Sequence, residues 1–342
     1  MALTGRRVHV DMLCAASILV VQQWRRPGPK IRPVPCGVRR LPKFDRNPRN
    51  MAAQTITSSS QGFGISRLRA FVMNSKVHGE SFSEEVDGKS VRDTLVFTCD
   101  GQRFVMKTKP DQLAEIVVEN VSPAAVSATI EAIERICWLL AFATQSQVAC
   151  YGHDYPDGSP NKVRNGVHRS GQNADPVIEP ADGAAIRKFL DQAYPQFKAL
   201  EGARSLKVVI DYMLQAARPR LPMECRLVFL SVLLENMKQT YGTQLQFAFK
   251  GGKFVNPVTK DRLGFQDMMN RMFGAEGITP NLQPLVDLRN EVLHTGVASM
   301  TIQQQKAQYD AATDLIREYL LRLLGFKGTF NVSGSGGSVK TI

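Results

Sequence analysis

The segment LVDLRNEVLHTG at 285–296 holds three side chains of the types that bind anions and transfer protons. Arg289 and Asn290 are adjacent, and His294 follows four residues after the asparagine. A guanidinium can donate two hydrogen bonds to one phosphate or carboxylate group, and imidazole side chains gain and lose protons near neutral pH. Because residues four apart lie on the same side of a helix, Asn290 and His294 are expected to share one face.

The apolar spacing of this segment predicts a helix over 284–295 with Arg289 among its apolar positions. At about 100° per residue, the side that carries the arginine also carries Leu282, Leu285, Val286, Val292 and Leu293. A guanidinium keeps its charge and is costly to bury unpaired. Two arrangements therefore stay open: this side faces a cleft or a second subunit, or Arg289 pairs with a carboxylate such as Glu235. His294 is expected in the last turn, where the helix dipole favours positive charge.

The pattern Arg289-Asn290-x-x-x-His294, on a late helix of a small helical bundle, resembles the R-x(4–6)-H motif of the HEPN superfamily. The resemblance covers residues 200–326 and depends on the motif, on the asparagine after the arginine and on the helical pattern around them. Many HEPN domains are metal-independent endoribonucleases. The resemblance therefore implies that RNA is the partner and that neither a metal nor a cofactor takes part. It also implies a composite site where the motif helices of two protomers meet.

In such an enzyme the 2′-hydroxyl of RNA attacks the adjacent phosphodiester. The resemblance assigns the proton transfers to His294 and the binding of the charged phosphate to Arg289. Asn290 would orient the histidine or donate to a phosphate oxygen. Glu235 is a candidate supporting partner, with a solvated or purely structural carboxylate as the alternative. The expected products carry a 2′,3′-cyclic phosphate and a 5′-hydroxyl, form without Mg²⁺, and do not arise from a deoxy substrate.

Helix geometry favours a homodimer for this chemistry. Residues five apart on a helix point about 140° from each other, so Arg289 and His294 of one chain do not converge easily. Two helices that meet across a twofold axis bring the arginine of one protomer toward the histidine of the other. One subgroup of HEPN toxins carries a tyrosine two residues after the histidine, which a nucleotidyltransferase modifies. Gly296 occupies that position here, so this regulation is not expected.

A helical bundle is predicted over 184–326. Its hydrophobic periodicity places helices at 184–199, 204–217, 222–241, 263–273, 284–295 and 302–324. The third helix, which contains RLVFLSVLLENM, is apolar around most of its circumference and is expected at the centre. Gly274, Gly296 and Gly325 are expected where the later helices end. Residues 245–262 read as a connector, and the GSGGSV stretch predicts a flexible tail over 327–342.

A mixed α+β domain is predicted over 62–180, so the fold class of the chain is α+β. Strands at 94–99 and 102–107 flank Asp100-Gly101, a dipeptide that favours a tight hairpin. Further strands are predicted at 69–76 and 147–152. A helix is predicted to begin after Ser122, as a capping residue, with Pro123 at its first position, and to end near Thr144.

Residues 153–180 form a long polar loop of the kind that is either functional or mobile. A small basic cluster within it is a candidate RNA contact: Lys162, Arg164, His168 and Arg169. The alternative is a solvated loop with scattered charges.

The net charge of +12 is concentrated in the first 50 residues, which hold nine Arg and two Lys against two Asp. The remaining chain is only weakly basic, so a basic globular surface is not established. The head, residues 1–61, leaves three explanations open. Either the start codon is placed too early and Met51 begins the functional protein, or the head is a targeting segment, or the head is an arm that binds nucleic acid.

The six cysteines are scattered and include no C-x-x-C pair, which argues against a structural zinc site and a disulfide framework. We therefore expect reduced thiols and a cytoplasmic protein, and no run reaches the length of a membrane span. The sequence contains no G-x-x-x-x-G-K-[ST], G-x-S-x-G or H-E-x-x-H motif, so NTPase, α/β-hydrolase and zincin chemistry lack support.

Three functions remain. The first is a metal-independent endoribonuclease acting in defence or stress, similar in plan to single-chain abortive-infection HEPN proteins, in which 62–180 would sense a ligand or partner. The second is a non-catalytic dimerisation or ligand-binding module, a role that HEPN domains also fill. The third is a nucleic-acid-binding protein that acts through its basic head.

Overall fold

The computed structural model describes residues 67–86, 89–109, 112–155, 175–295, 299–334 and 337–342. One compact unit, Ser60–Ile342, contains all of them. Their secondary structure combines α-helices with antiparallel sheets, so the predicted α+β class is confirmed. The head at 1–61 and most of the loop at 153–180 lie outside the described residues.

Six strands form an antiparallel sheet in the order β2-β3-β4-β5-β1-β6. Their bounds are β1 Leu68–Met73, β2 Ser81–Val86, β3 Lys89–Cys99, β4 Gln102–Thr108, β5 Ala114–Val118 and β6 Ala149–Asp154. The predicted hairpin joins β3 to β4, and Asp100 and Gly101 at its turn both have positive φ, 53° and 73°. The sequence did not predict β2 or β5, since β2 is polar and β5 has only five residues.

The seven helices within the described ranges follow the predicted positions closely. They are α1 Val126–Thr144, α2 Gly183–Leu200, α3 Leu206–Ala216, α4 Met223–Gln244, α5 Phe265–Ala275, α6 Gln283–Thr295 and α7 Ile302–Leu323. Two predicted end signals were wrong in part. Ser122 makes no capping hydrogen bond, and a 3-10 turn at Pro123–Ala125 precedes α1. Gly274 lies inside α5, and Gly277, with φ of 70°, takes the left-handed position beyond that helix.

The sheet and the helices share a single hydrophobic core that extends from Leu68 to Phe330. Helix α1 packs on β1 and β6, and α2 packs on α1 and β3. Helix α4 contacts α3, α5, α6 and α7, which confirms its predicted central place. An aromatic series crosses from α1 into the C-terminal segment, with ring centroids 6.0 Å apart for Phe142 and Phe189 and 5.6 Å apart for Phe189 and Phe326.

Two regions predicted as irregular contain strands. The connector at 245–262 forms most of a three-stranded sheet of β7 Ala248–Lys250, β8 Lys253–Val255 and β9 Arg262–Leu263. The flexible tail predicted over 327–342 was wrong in part, because β10 Thr329–Asn331 pairs with β11 Val339–Thr341. Phe330 of β10 is buried in the core and anchors this terminal hairpin.

Candidate functional site

Helix α6 carries the predicted motif and packs against α4. Leu288 and Val292, four residues apart, are buried, and Leu285 is partly buried beside them. Leu293, which the sequence placed on the packing side, is instead exposed. The apolar side is therefore centred on the line from Leu285 to Val292, and Arg289 lies at its edge.

Arg289 shares the carboxylate of Glu235 with a second cation. Its Nη2 donates to Glu235 Oε1, and Lys238 Nζ donates to Oε2 of the same carboxylate at 2.5 Å. Phe265, the first residue of α5, presents its ring to both cations, with the ring centroid 4.8 Å from Arg289 Cζ and 5.6 Å from Lys238 Nζ. Two positive charges thus share one negative charge, which leaves this group with a net charge of +1.

The ion pair of Arg289 with Glu235, one of the two arrangements left open by the sequence, is confirmed. The group is half-buried: the exposed fractions of the side chains are 20% for Arg289, 29% for Glu235 and 10% for Lys238. Arg289 Nε is buried and makes no hydrogen bond within the described part of the chain. Because a fifth of the arginine side chain remains accessible, its outer edge can still contact a ligand.

Asn290 and His294 lie on the outer side of α6. Both are exposed, and His294 is in the last turn, as predicted. Arg289 Nη1 donates to Asn290 Oδ1 at 2.6 Å, so the amide oxygen faces the arginine and the amide NH₂ is left to donate elsewhere. Contacts therefore run from Glu235 through Arg289 to Asn290, which lies one turn before the histidine.

A basic hairpin, residues 248–263, adjoins this group and was not recognised from the sequence. Its exposed cations are Lys250, Lys253, Lys260 and Arg262, against one exposed carboxylate, Asp261. Phe249 on the same hairpin has half of its surface exposed. The hairpin leads directly into α5 through Gly264, and α5 begins with the Phe265 ring that contacts Arg289. The alternation in the FAFKGGKF stretch could have indicated these strands, but its Gly-Gly pair was interpreted only as a break in the chain's regular structure.

Packing on α4 fixes the position of the basic hairpin. Phe254 of β8 is buried, and its ring lies against Gly242 of α4 so closely that a Cβ on that glycine would lie 2.5 Å from ring atoms. Gly251 and Gly252, with φ of 56° and 75°, form the tight turn between β7 and β8. The hairpin is therefore attached to the helix that also supplies Glu235.

The predicted basic cluster of Lys162, Arg164, His168 and Arg169 lies outside the described residues. Within the described ranges, no three or more His, Cys, Asp or Glu side chains are grouped so that they could hold a metal ion. None of the helices described has the length and apolar character needed to cross a membrane.

The arrangement on α6 offers a proton-transfer group at His294, an amide donor at Asn290 and a partly accessible guanidinium at Arg289, beside an exposed basic surface. These groups suit the binding of an anion and proton transfer next to it. Comparisons of the chain with protein-family models, with curated proteins and with solved structures find no match.

Proposed function

We propose that the chain is a metal-independent endoribonuclease of the HEPN type, that 184–326 is its HEPN-like bundle, and that it acts as a cytoplasmic homodimer in defence or stress. The observation that supports this most is the exposure of Asn290 and His294 beside the anchored Arg289. The net positive charge of the arginine group and the adjacent basic hairpin support an anionic polymer as substrate.

The reaction needs only groups that RNA and the protein supply. The imidazole of His294 accepts the proton of the 2′-hydroxyl as that oxygen attacks phosphorus. The accessible edge of Arg289 and the amide of Asn290 donate to the phosphate oxygens, where negative charge accumulates. The same imidazole, now protonated, returns that proton to the departing 5′-oxygen as the bond between phosphorus and this oxygen breaks. The products are a 2′,3′-cyclic phosphate and a 5′-hydroxyl.

Glu235 acts in this scheme as a positioning residue. It holds Nη2 of Arg289, which leaves Nη1 to orient Asn290, and it thereby fixes the guanidinium against the Phe265 ring. A long arginine side chain loses about 2 kcal/mol of rotamer freedom when it is ordered. Because the folded protein already orders the Arg289 side chain before RNA binds, the side chain loses less rotamer freedom when it contacts the phosphate.

The basic hairpin supplies an RNA-binding surface in this proposal. Lys250 and Lys253 pair across its turn, and Phe249, which precedes Lys250, has half of its surface exposed. Lysines that track a backbone, together with a ring on which a base stacks, are typical of single-strand binding. Base stacking on such a ring contributes about 1–3 kcal/mol.

The test is cleavage of a labelled single-stranded RNA by the purified full chain in EDTA. We expect products with cyclic phosphate ends, and none from the matching DNA. His294→Ala should lower the rate by about 10²-fold or more, and Arg289→Ala should lower it to a similar extent. His78→Ala, which changes an exposed histidine outside this site, is the matched control and should leave the rate unchanged. Inert wild-type protein, or full activity in His294→Ala, would contradict the proposal.

The second candidate is a non-catalytic dimerisation or ligand-binding module. The ion pair between Arg289 and Glu235 favours it, because that pair can serve to join α6 to α4 without any chemistry. Light scattering of the same preparation separates the two candidates. A wild-type dimer that cleaves no RNA, and whose dimerisation survives His294→Ala, supports the module.

A further inference from the structure

A cavity of about 190 Å³ lies between α3, α4, α7 and the terminal hairpin. It is separate from the arginine group of α6, because none of the residues of that group lines it. Its lining includes three cations, Arg226, Lys306 and Arg317, and an apolar wall of Met213, Leu230 and Ile316. Lys306 is exposed, whereas Arg317 and the apolar residues are buried, so the cavity extends from the surface into the core.

Arg317 is the unusual member of this lining. It is only 2% exposed, and its two terminal nitrogens donate to backbone carbonyls, Nη1 to Asn331 at 3.1 Å and Nη2 to Asp175 at 2.7 Å. Within the described ranges, its Nε has no hydrogen-bond partner and its side chain forms no ion pair with a carboxylate. Burial lowers the pKa of Arg317, and the nearby carboxylates of Asp314, Asp175 and Asp310 offset this only in part.

The other charges around the cavity do not neutralise Arg317. Asp310 is engaged by Lys306, with 2.6 Å between its Oδ2 and the ammonium nitrogen. Asp314, on the same helix, accepts the backbone N–H of Ser333 at 2.6 Å, and burial raises the pKa of its carboxyl. Arg226 donates to the Arg218 carbonyl and stacks on Tyr309 instead of meeting a carboxylate. The lining holds three cations, Arg226, Lys306 and Arg317, against the carboxylates of Asp175 and Asp310, so it keeps one excess positive charge.

The size and the apolar wall narrow the class of ligand. An apolar cavity of about 150 Å³ is large enough for benzene, so this one accommodates roughly ten non-hydrogen atoms. We propose that the cavity binds a small organic anion, with its carboxylate or phosphate on Arg226 and Arg317 and its apolar part against Met213 and Leu230. This site is independent of the proposed ribonuclease activity.

Benzoate and phenyl phosphate are suitable probes, and benzyl alcohol is the uncharged counterpart. We expect isothermal titration of the full chain to show one saturable site for at least one of the two anions, with a Kd of about 1 mM or below. Benzyl alcohol should not bind measurably. Inorganic phosphate should bind at least about tenfold more weakly than phenyl phosphate, because it does not use the apolar wall.

Two variants assign the binding to this cavity. Leu230→Trp fills the apolar part and should abolish binding, and Arg226→Gln removes a charge near the surface and should weaken it by about tenfold or more. Arg220→Gln, at an exposed arginine that does not line the cavity, is the matched control. Absence of saturable binding of both anions, equal binding of phosphate and phenyl phosphate, or unchanged binding in a folded Arg226→Gln protein would overturn the proposal.

Discussion

Replacing Gly242 with alanine tests the packing that attaches the basic hairpin to α4. A Cβ at this position would lie 2.5 Å from Cε1 and Cζ of Phe254, about 1 Å closer than ordinary contact between carbon atoms. The Phe254 ring is 1% exposed, so it has little room to move away. Alanine in a helix is ordinarily better than glycine by about 0.5–1 kcal/mol, but overpacking of this kind costs about 1–3 kcal/mol.

The structure also offers a matched control. Gly274 lies near the C-terminal end of α5, as Gly242 lies near that of α4, and a Cβ at Gly274 meets nothing within 4 Å. Gly274→Ala should therefore gain stability, and Gly242→Ala should lose it. The gain in helix propensity is common to both variants and the overpacking cost belongs to Gly242→Ala alone. We therefore expect their free energies of unfolding to differ by about 1–3 kcal/mol.

Equilibrium unfolding in urea, followed by circular dichroism, measures this difference. Intrinsic helix propensity is closely similar in the two variants, so the contact with Phe254 is the term that separates them. A Gly242→Ala protein as stable as Gly274→Ala would refute the argument that Phe254 fills the space above the glycine. A Gly242→Ala, Phe254→Leu double variant should recover part of the loss, because leucine lacks the ring atoms that clash.

Two further predictions concern charged groups. Glu235→Gln leaves Arg289 and Lys238 close together without their shared carboxylate, so we expect urea unfolding to show a loss of about 1–3 kcal/mol, and stability equal to wild type would contradict the pairing. Asp100 accepts from Lys198 at 2.8 Å, and this hydrogen bond, with one from Tyr194, holds the pKa of its carboxyl below the usual value. A pKa lower in the folded than in the unfolded state means stability that is present above about pH 4 and lost as the pH falls. Asp100→Asn should therefore cost about 0.2–1 kcal/mol at pH 7 and less at pH 3, whereas a cost that does not change with pH would contradict this assignment.

The sequence predicted the elements whose signals are local. Apolar periodicity found the seven helices of the described residues, and Asp100-Gly101 found the central hairpin. It did not find β7 to β9, because strands of two or three residues hold too few side chains to show an alternation. The terminal hairpin was predicted as a flexible tail because of its glycines. The burial of Phe330, which anchors it, depends on a core assembled from distant segments and has no local signal.

The candidate site, too, was predictable only where its signals are local. Arg289, Asn290 and His294 could be placed on one helix from spacing alone, and Glu235 was named as a carboxylate with which Arg289 could pair. The sharing of Glu235 with Lys238 and the stacking of both cations on Phe265 depend on how three helices pack, which no local pattern encodes. Arg317 of the cavity meets Asp175, 142 residues away in the sequence, so that site was equally invisible. The composite ribonuclease site stays a prediction.

The measurement that tests the central claim most directly is RNA cleavage by a heterodimer of two inactive variants. Arg289→Ala and His294→Ala chains, co-expressed with different tags, are purified as the mixed dimer. If the arginine of one protomer works with the histidine of the other, one of the two sites in this dimer is intact, and we expect about half of the wild-type activity per dimer. A mixed dimer as inert as either variant alone would contradict the account.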